Sequence, residues 1–168
     1  MKTCFQDLII ILLLIINSLM SCDKPDLIED PNLLASLYSK SLDTLEIEAN
    51  KFILETDLSR SFTPGGPIPT KHPLIALIYL FNIDSLPIPT NIDLTKLYVI
   101  KDQLIWISTP VDYDQSNLPN YKLVKISREG PKWEPEIYVD VIAEVVNNVT
   151  SDKYLLIARH QYILKVWK

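Results

Sequence analysis

The sequence predicts an all-β domain, a sandwich of about seven to eight short strands, on three observations. Apolar residues recur with period two through most of the chain after Thr44. All twelve prolines fall between those runs or at their edges, where a residue that cannot donate to a sheet ladder belongs. The runs are short and separated by loop-forming stretches, and no internal repeat or low-complexity tract interrupts them.

Thr44 to Thr56 reads as a strand whose apolar face changes parity near Asn50-Lys51, as a bulge produces. Leu74 to Phe81 is apolar on both faces, which predicts a central strand covered on two sides. Leu97 to Ile100 and Leu104 to Ile107 are joined by Lys101-Asp102-Gln103, a hairpin-length gap. Tyr121 to Ile126 is a further short strand. Ile137 to Val146 alternates most regularly, with Ile137, Val139, Val141, Ala143 and Val145 on one face and Asp140 and Glu144 on the other. Tyr154 to Ala158 and Tyr162 to Trp167 complete the set, whose strand count and spacing predict a β-sandwich of immunoglobulin-like type. A domain running from residue 44 to 168, about 125 residues, buries roughly two-thirds of its unfolded surface and can hold a core of its own.

The chain before this domain reads as an address. Lys2 and the amino terminus are positive, and Leu8 to Ile16 is an unbroken apolar run. A helix of that length spans roughly 14 Å, far short of the ~30 Å hydrocarbon core of a bilayer, so a secretory signal is expected and a membrane span is not. Leu19-Met20-Ser21-Cys22 resembles the bacterial lipobox, although Met20 is larger than the residue usual there. The resemblance implies a lipoprotein signal peptide over 1–21, attachment of diacylglycerol to the Cys22 thiol, cleavage before Cys22, and often acylation of the new amine by a fatty acid such as palmitate. Cys4 lies in the segment that would be removed, and the remaining Cys22 carries lipid, so the domain is expected to stand without a disulfide. Asp23 resembles an inner-membrane retention signal of some Gram-negative bacteria, a rule other phyla ignore, so the cell envelope is the expected location with inner or outer membrane open. Residues 22–43, with Pro25, Pro31, several acidic residues and Leu33, Leu34, Leu37 and Tyr38 at helical spacing, read as a tether that lifts the domain off the membrane.

Several stretches also resemble a family of small uncharacterised bacterial proteins. These are Leu58-Ser59-Arg60-Ser61-Phe62-Thr63-Pro64 with Pro73-Leu74-Ile75-Ala76, and Leu97-Tyr98-Val99-Ile100 with Trp106. Gly130-Pro131-Lys132-Trp133-Glu134-Pro135 leading into Tyr138-Val139-Asp140-Val141, and Tyr154-Leu155-Leu156 before Gln161, extend the likeness over about Leu45 to Gln161. It implies an immunoglobulin-like fold and no assigned activity, so no functional residue is carried over. Tyr162 to Lys168 departs from the pattern with an apolar and basic ending.

The chemistry-bearing residues are sparse. A net charge of −5 and a pI near 5.0 exclude the basic face that nucleic acid requires. His72 and His160 are the two histidines, and neither sits beside a Ser or Cys nucleophile motif. No cofactor and no metal site is expected from them. Asp112-Tyr113-Asp114-Gln115-Ser116 begins like a calcium loop but has Asn117 where the turn needs Gly and Leu123 where the bidentate Glu belongs, so it reads as a polar loop. Gly65-Gly66 lacks the Lys and Ser/Thr of a phosphate loop, and Asn148-Val149-Thr150 fits a glycosylation acceptor that has little force in a bacterial lipoprotein.

Two clusters are candidates for recognition. Lys132, Trp133 and Pro135 form a loop in which Trp133 either meets a partner or plugs the core. Arg60 and Phe62 precede Thr63 to Lys71, a proline-stiffened loop that is cheap to order on binding, and Arg60 alternatively forms a structural salt bridge. The leading expectation is an envelope-anchored, non-catalytic binding or accessory module, held to the membrane through Cys22 and contacting a protein or glycan partner. A protein inhibitor of proteases acting through Thr63 to Lys71 is the alternative. A hydrolase of envelope polymers, which needs two close carboxylates with separated pKa values, ranks last.

Overall fold

A computed structural model describes residues 25–62, 72–114 and 118–167. The described chain is all-β with one helix. In order it comprises β1 (Asp26–Glu29), α1 (Pro31–Lys40), β2 (Ser41–Leu42), β3 (Leu45–Ile47), β4 (Asn50–Phe62), β5 (Leu74–Asn82), β6 (Ile92–Lys101), β7 (Leu104–Ser108), β8 (Val111–Asp112), β9 (Lys122–Gly130), β10 (Tyr138–Asn147) and β11 (Asp152–Trp167). The strands form one mixed sheet in the order β1-β7-β6-β10-β11-β4-β5-β9-β8, with β2 on β11 and β3 on β4. The sheet curls into a half-barrel, and its eleven described strands exceed the seven to eight read from the sequence.

The curl turns on β11. Its first part pairs antiparallel with β10, while Ile163–Trp167 pairs parallel with Leu58–Phe62 of β4. The sequence suggests two strands with a break at Arg159-His160-Gln161; the chain instead runs through as one. The break is a bulge, because Val139 faces Gln161 and Val141 faces Ala158, so Asp140 stands opposite Arg159 and His160. His160 takes φ 53, a left-handed conformation rare for a residue with a side chain. Asp140 holds it there: one carboxylate oxygen accepts the His160 N–H at 2.8 Å and the other accepts the Tyr38 hydroxyl at 2.8 Å.

Inward-facing side chains of both halves meet in one core. Phe52, Leu54 and Leu58 of β4 and Leu74, Ala76, Ile78 and Leu80 of β5 face Leu94, Leu97 and Val99 of β6 and Val141, Ala143 and Val145 of β10. The two arms of the curl meet where β7 approaches β9, each the strand next to an edge of the sheet. The Trp106 indole, 2% exposed, lies so close to Gly130 that a Cβ there would stand 2.8 Å from its ring carbons. Lys125 of β9 also reaches Asp93 of β6 at 2.7 Å.

Three expectations are corrected. The parity change in the first strand is a two-residue hairpin and not a bulge: Ile47 pairs with Asn50, and Glu48 in the turn has φ 54. β5 lies between two strands, but its outer face is only half-buried, so just one face is fully covered. Residues 22–43 were expected as a tether, yet from Asp26 they belong to the domain. β1 pairs with β7, and α1 packs Leu37 against Tyr98, Ile100, Ile105, Ile142 and Ile157 on the far side of the β6–β10 half. The helical spacing of Leu33, Leu34, Leu37 and Tyr38 thus marks a real helix. Asp30 caps it by accepting the N–H groups of Asn32 and Leu33, with Pro31 in the first turn.

The Trp106–Gly130 contact makes Gly130→Ala destabilising by about 1–3 kcal/mol, the usual range for overpacking. In urea its unfolding midpoint should fall, and the loss should shrink in a Trp106→Ala background. An unchanged midpoint for Gly130→Ala would show that the two arms are not held at this contact.

Candidate functional site

The half-exposed outer face of β4, β5 and β9 carries a groove of about 680 Å³. Period-two geometry places its side chains. Glu55 and Asp57 of β4 point away from the core because Leu54 and Leu58 point into it. Register sets Tyr79 of β5 opposite Glu55, and Lys122 of β9 opposite Phe81. Leu118, Pro119 and Tyr121 form one wall and Gln161 another.

These groups are tied into a polar network over an aromatic floor. The Tyr79 hydroxyl donates to Asp57 Oδ2 at 3.0 Å. The Lys122 ammonium lies 3.6 Å from Glu55 Oε2 and 4.9 Å from the centre of the Phe81 ring, a cation–π distance. Phe81 and Tyr121 meet edge to face at 5.5 Å. Gln161 accepts from Thr56 Oγ1 at 2.8 Å and donates to the Arg159 carbonyl, so the bulge of β11 also positions this wall. Burial, then the hydrogen bond to Asp57, then the nearby negative charges push the Tyr79 phenol up to about 12. The groove therefore offers two carboxylates, a neutral phenol, an ammonium and an amide on rigid strands. That is a set of donors and acceptors suited to binding a polar ligand in a fixed orientation.

The residues singled out from sequence lie elsewhere. Trp133 is 8% exposed and packs in the main core, while its neighbour Lys132 is exposed and Pro135 half-buried. Arg60 is wholly buried and Phe62 nearly so. Arg60 Nε donates to the His72 carbonyl at 2.9 Å, Nη1 donates to the Trp133 carbonyl, and the guanidinium lies 5.2 Å from the centre of the Phe62 ring. Burial lowers the Arg60 pKa, and the charge of Glu134 opposes that shift. The fold thus brings the two candidate clusters together around one arginine, inside the molecule. Direct recognition by Arg60, Phe62 or Trp133 would require exposure that these positions lack. Cys22 and Thr63 to Lys71 lie outside the described residues. The ends of that loop are pinned, with the His72 N–H donating to the Ser61 carbonyl. Asp112 of the polar loop pairs with Lys125 at 3.3 Å, and His160 lies in the bulge.

Glu55, Asp57, Tyr79 and Lys122 were not singled out from the sequence. Alternation along β4 carries the signal for Glu55 and Asp57, whose odd-numbered positions face outward, whereas Tyr79 of β5 and Lys122 of β9 join them only through strand register.

The Tyr79 phenol stays protonated in the folded protein, so its contribution to stability is complete below pH 10 and is lost as pH rises toward 12. Phenolate absorbance should show Tyr38 and Tyr79 both ionising near 12. Asp57→Asn should lower the Tyr79 step toward 10 and leave Tyr38 in place; an unchanged titration would remove Asp57 from the account.

No family model, no curated protein and no solved structure matches this chain, so the groove stands on its own geometry.

Proposed function

We propose that this protein is a lipoprotein of the bacterial cell envelope, lipidated at Cys22, whose domain is a non-catalytic binding or accessory module. The observation that carries the binding reading is the groove between Glu55, Asp57, Tyr79, Tyr121, Lys122 and Gln161. Its polar groups are fixed by strand register and by one another, so little side-chain order need be lost when a ligand fits. It is broad and shallow, a shape for an extended polar partner, a peptide or glycan segment rich in hydroxyl or cationic groups. The lipid anchor rests on Leu19-Met20-Ser21-Cys22. The immunoglobulin-like reading is retained with it, supported by two facing sheet halves over one core. The shared strand β11 and its parallel pairing with β4 are departures that such a relationship would have to accommodate.

Two tests follow. Cys22→Ser should leave an uncleaved precursor without acyl chains, and an intact mass equal to that of the wild-type protein would refute the anchor. For the groove, the lipidated protein is crosslinked in its own membranes beside an Asp57→Asn/Lys122→Gln variant, both substitutions at solvent-facing positions. A specific crosslinked partner should be lost or weakened at least tenfold in the variant. Equal crosslinking by both forms would place the contact elsewhere.

A further inference from the structure

The geometry points to a second binding site, on the outer face of the β6–β10 half, that takes the alkylammonium group of a lysine side chain. Period two puts Tyr138 and Asp140 on that face, because Val139 and Val141 of the same strand point into the core. Register sets Asp140 opposite Ile100 and Tyr138 opposite Tyr162. The bulge of β11 adds His160, Tyr38 reaches the site from the last turn of α1, and the two-residue turn after β6 adds Asp102. Tyr38, Ile100, Asp102, Tyr138, Asp140 and His160 line a cavity of about 230 Å³. That is small for a whole ligand and suits a headgroup.

The charges select a cation. The lining holds two carboxylates and neither lysine nor arginine. Asp140 is half-buried, and its oxygens accept from neutral donors, the Tyr38 hydroxyl and the His160 backbone N–H, at 2.8 Å each. Among the described residues neither Asp140 nor Asp102 is in an ion pair. Arg159, next to His160 in the chain, pairs instead with Asp43 at 3.5 Å and lies 5.8 Å from the centre of the Tyr38 ring. A half-buried carboxylate without a cation is costly, and an incoming ammonium offsets part of that cost with charge-assisted hydrogen bonds.

Exposed aromatic rings supply the wall. Tyr138 is 62% exposed, and its ring centre lies 6.0 Å from that of His160 and 5.2 Å from that of Tyr162. The planes are tilted by 48° and 53°. Rings set at such angles cradle a compact cation from two sides, whereas a sugar ring stacks on one flat face. Two carboxylates also fall short of the ligand set of a metal ion, and no group of three or more His, Cys, Asp or Glu among the described residues could hold one. The cavity and the groove meet β11 at adjoining residues, His160 and Gln161, and share no lining residue, so the second site stands whether or not the groove binds a partner.

The test is a titration of the full-length protein in detergent micelles, followed by NMR on the imidazole protons of His160. These are the histidine signals that remain in a His72→Gln variant, since the chain has two histidines. Acetyl-lysine methylamide should shift them saturably, and the uncharged acetyl-norleucine methylamide should not. Asp102→Asn and Tyr138→Ala, both at exposed positions, should each weaken the lysine probe by about fivefold. Residue 102 has φ 56, which asparagine tolerates, so Asp102→Asn keeps the turn. No saturable shift with the lysine probe, equal shifts with the norleucine probe, or wild-type affinity in both variants overturns the site. A shift produced by N-acetylglucosamine and not by the lysine probe overturns the choice of ligand and makes the rings a sugar-binding shelf.

Discussion

The fold depends on a single strand serving two sheet halves. β11 would be an ordinary antiparallel partner of β10 if it ran straight, and the core would then have one wall. At Arg159-His160 the backbone bulges, and the remaining residues lie parallel to β4. Parallel pairing requires the chain to return from a distance, so β4 and the strands following it are carried round to face β6 and β10. The left-handed residue at the bend is unfavourable by itself and is held by the Asp140 carboxylate, which also binds Tyr38 of α1. One side chain thereby fixes the bend in the sheet and the seat of the helix behind it.

The two ends of the curl are secured by different physics. At β7 and β9 the closure is steric, because a glycine lets a fully buried indole reach across. Beside it an ammonium bridges to carboxylates of β6 and β8, at the point where the main core gives way to solvent. A third interior device, Arg60, gathers main-chain carbonyls from His72 and Trp133 and so joins the stem of one loop to the neighbouring segment. A guanidinium can do this where an apolar residue cannot, since carbonyls left without donors inside the protein would be costly.

The outer face of β4, β5 and β9 inherits its character from this arrangement. Once Phe52, Leu54 and Leu58 of β4 are committed to the core, Glu55 and Asp57 face outward, and register delivers Tyr79 and Lys122 beside them. The groove is thus a consequence of core packing on the other side of the same strands.

The sequence by itself determined the all-β class and most of the long strands, because period-two alternation and proline placement are local signals that any sheet must obey. The helical spacing of Leu33, Leu34, Leu37 and Tyr38 also marks α1 in the sequence, whereas its seat on the sheet is not legible there. Nothing local says that an edge strand and a helix dock onto the sheet rather than hang from it; that is decided by apolar surface on distant strands. The same limit explains Arg60, Phe62 and Trp133. Read along the chain they look like loop residues available to a partner, and three-dimensional packing puts them inside together. The groove residues are separated by up to about a hundred positions, from Glu55 to Gln161, and become neighbours only through strand register. Alternation fixes which face a side chain takes, but which strands lie side by side is set by long-range pairing, and that was decided by the tertiary structure alone.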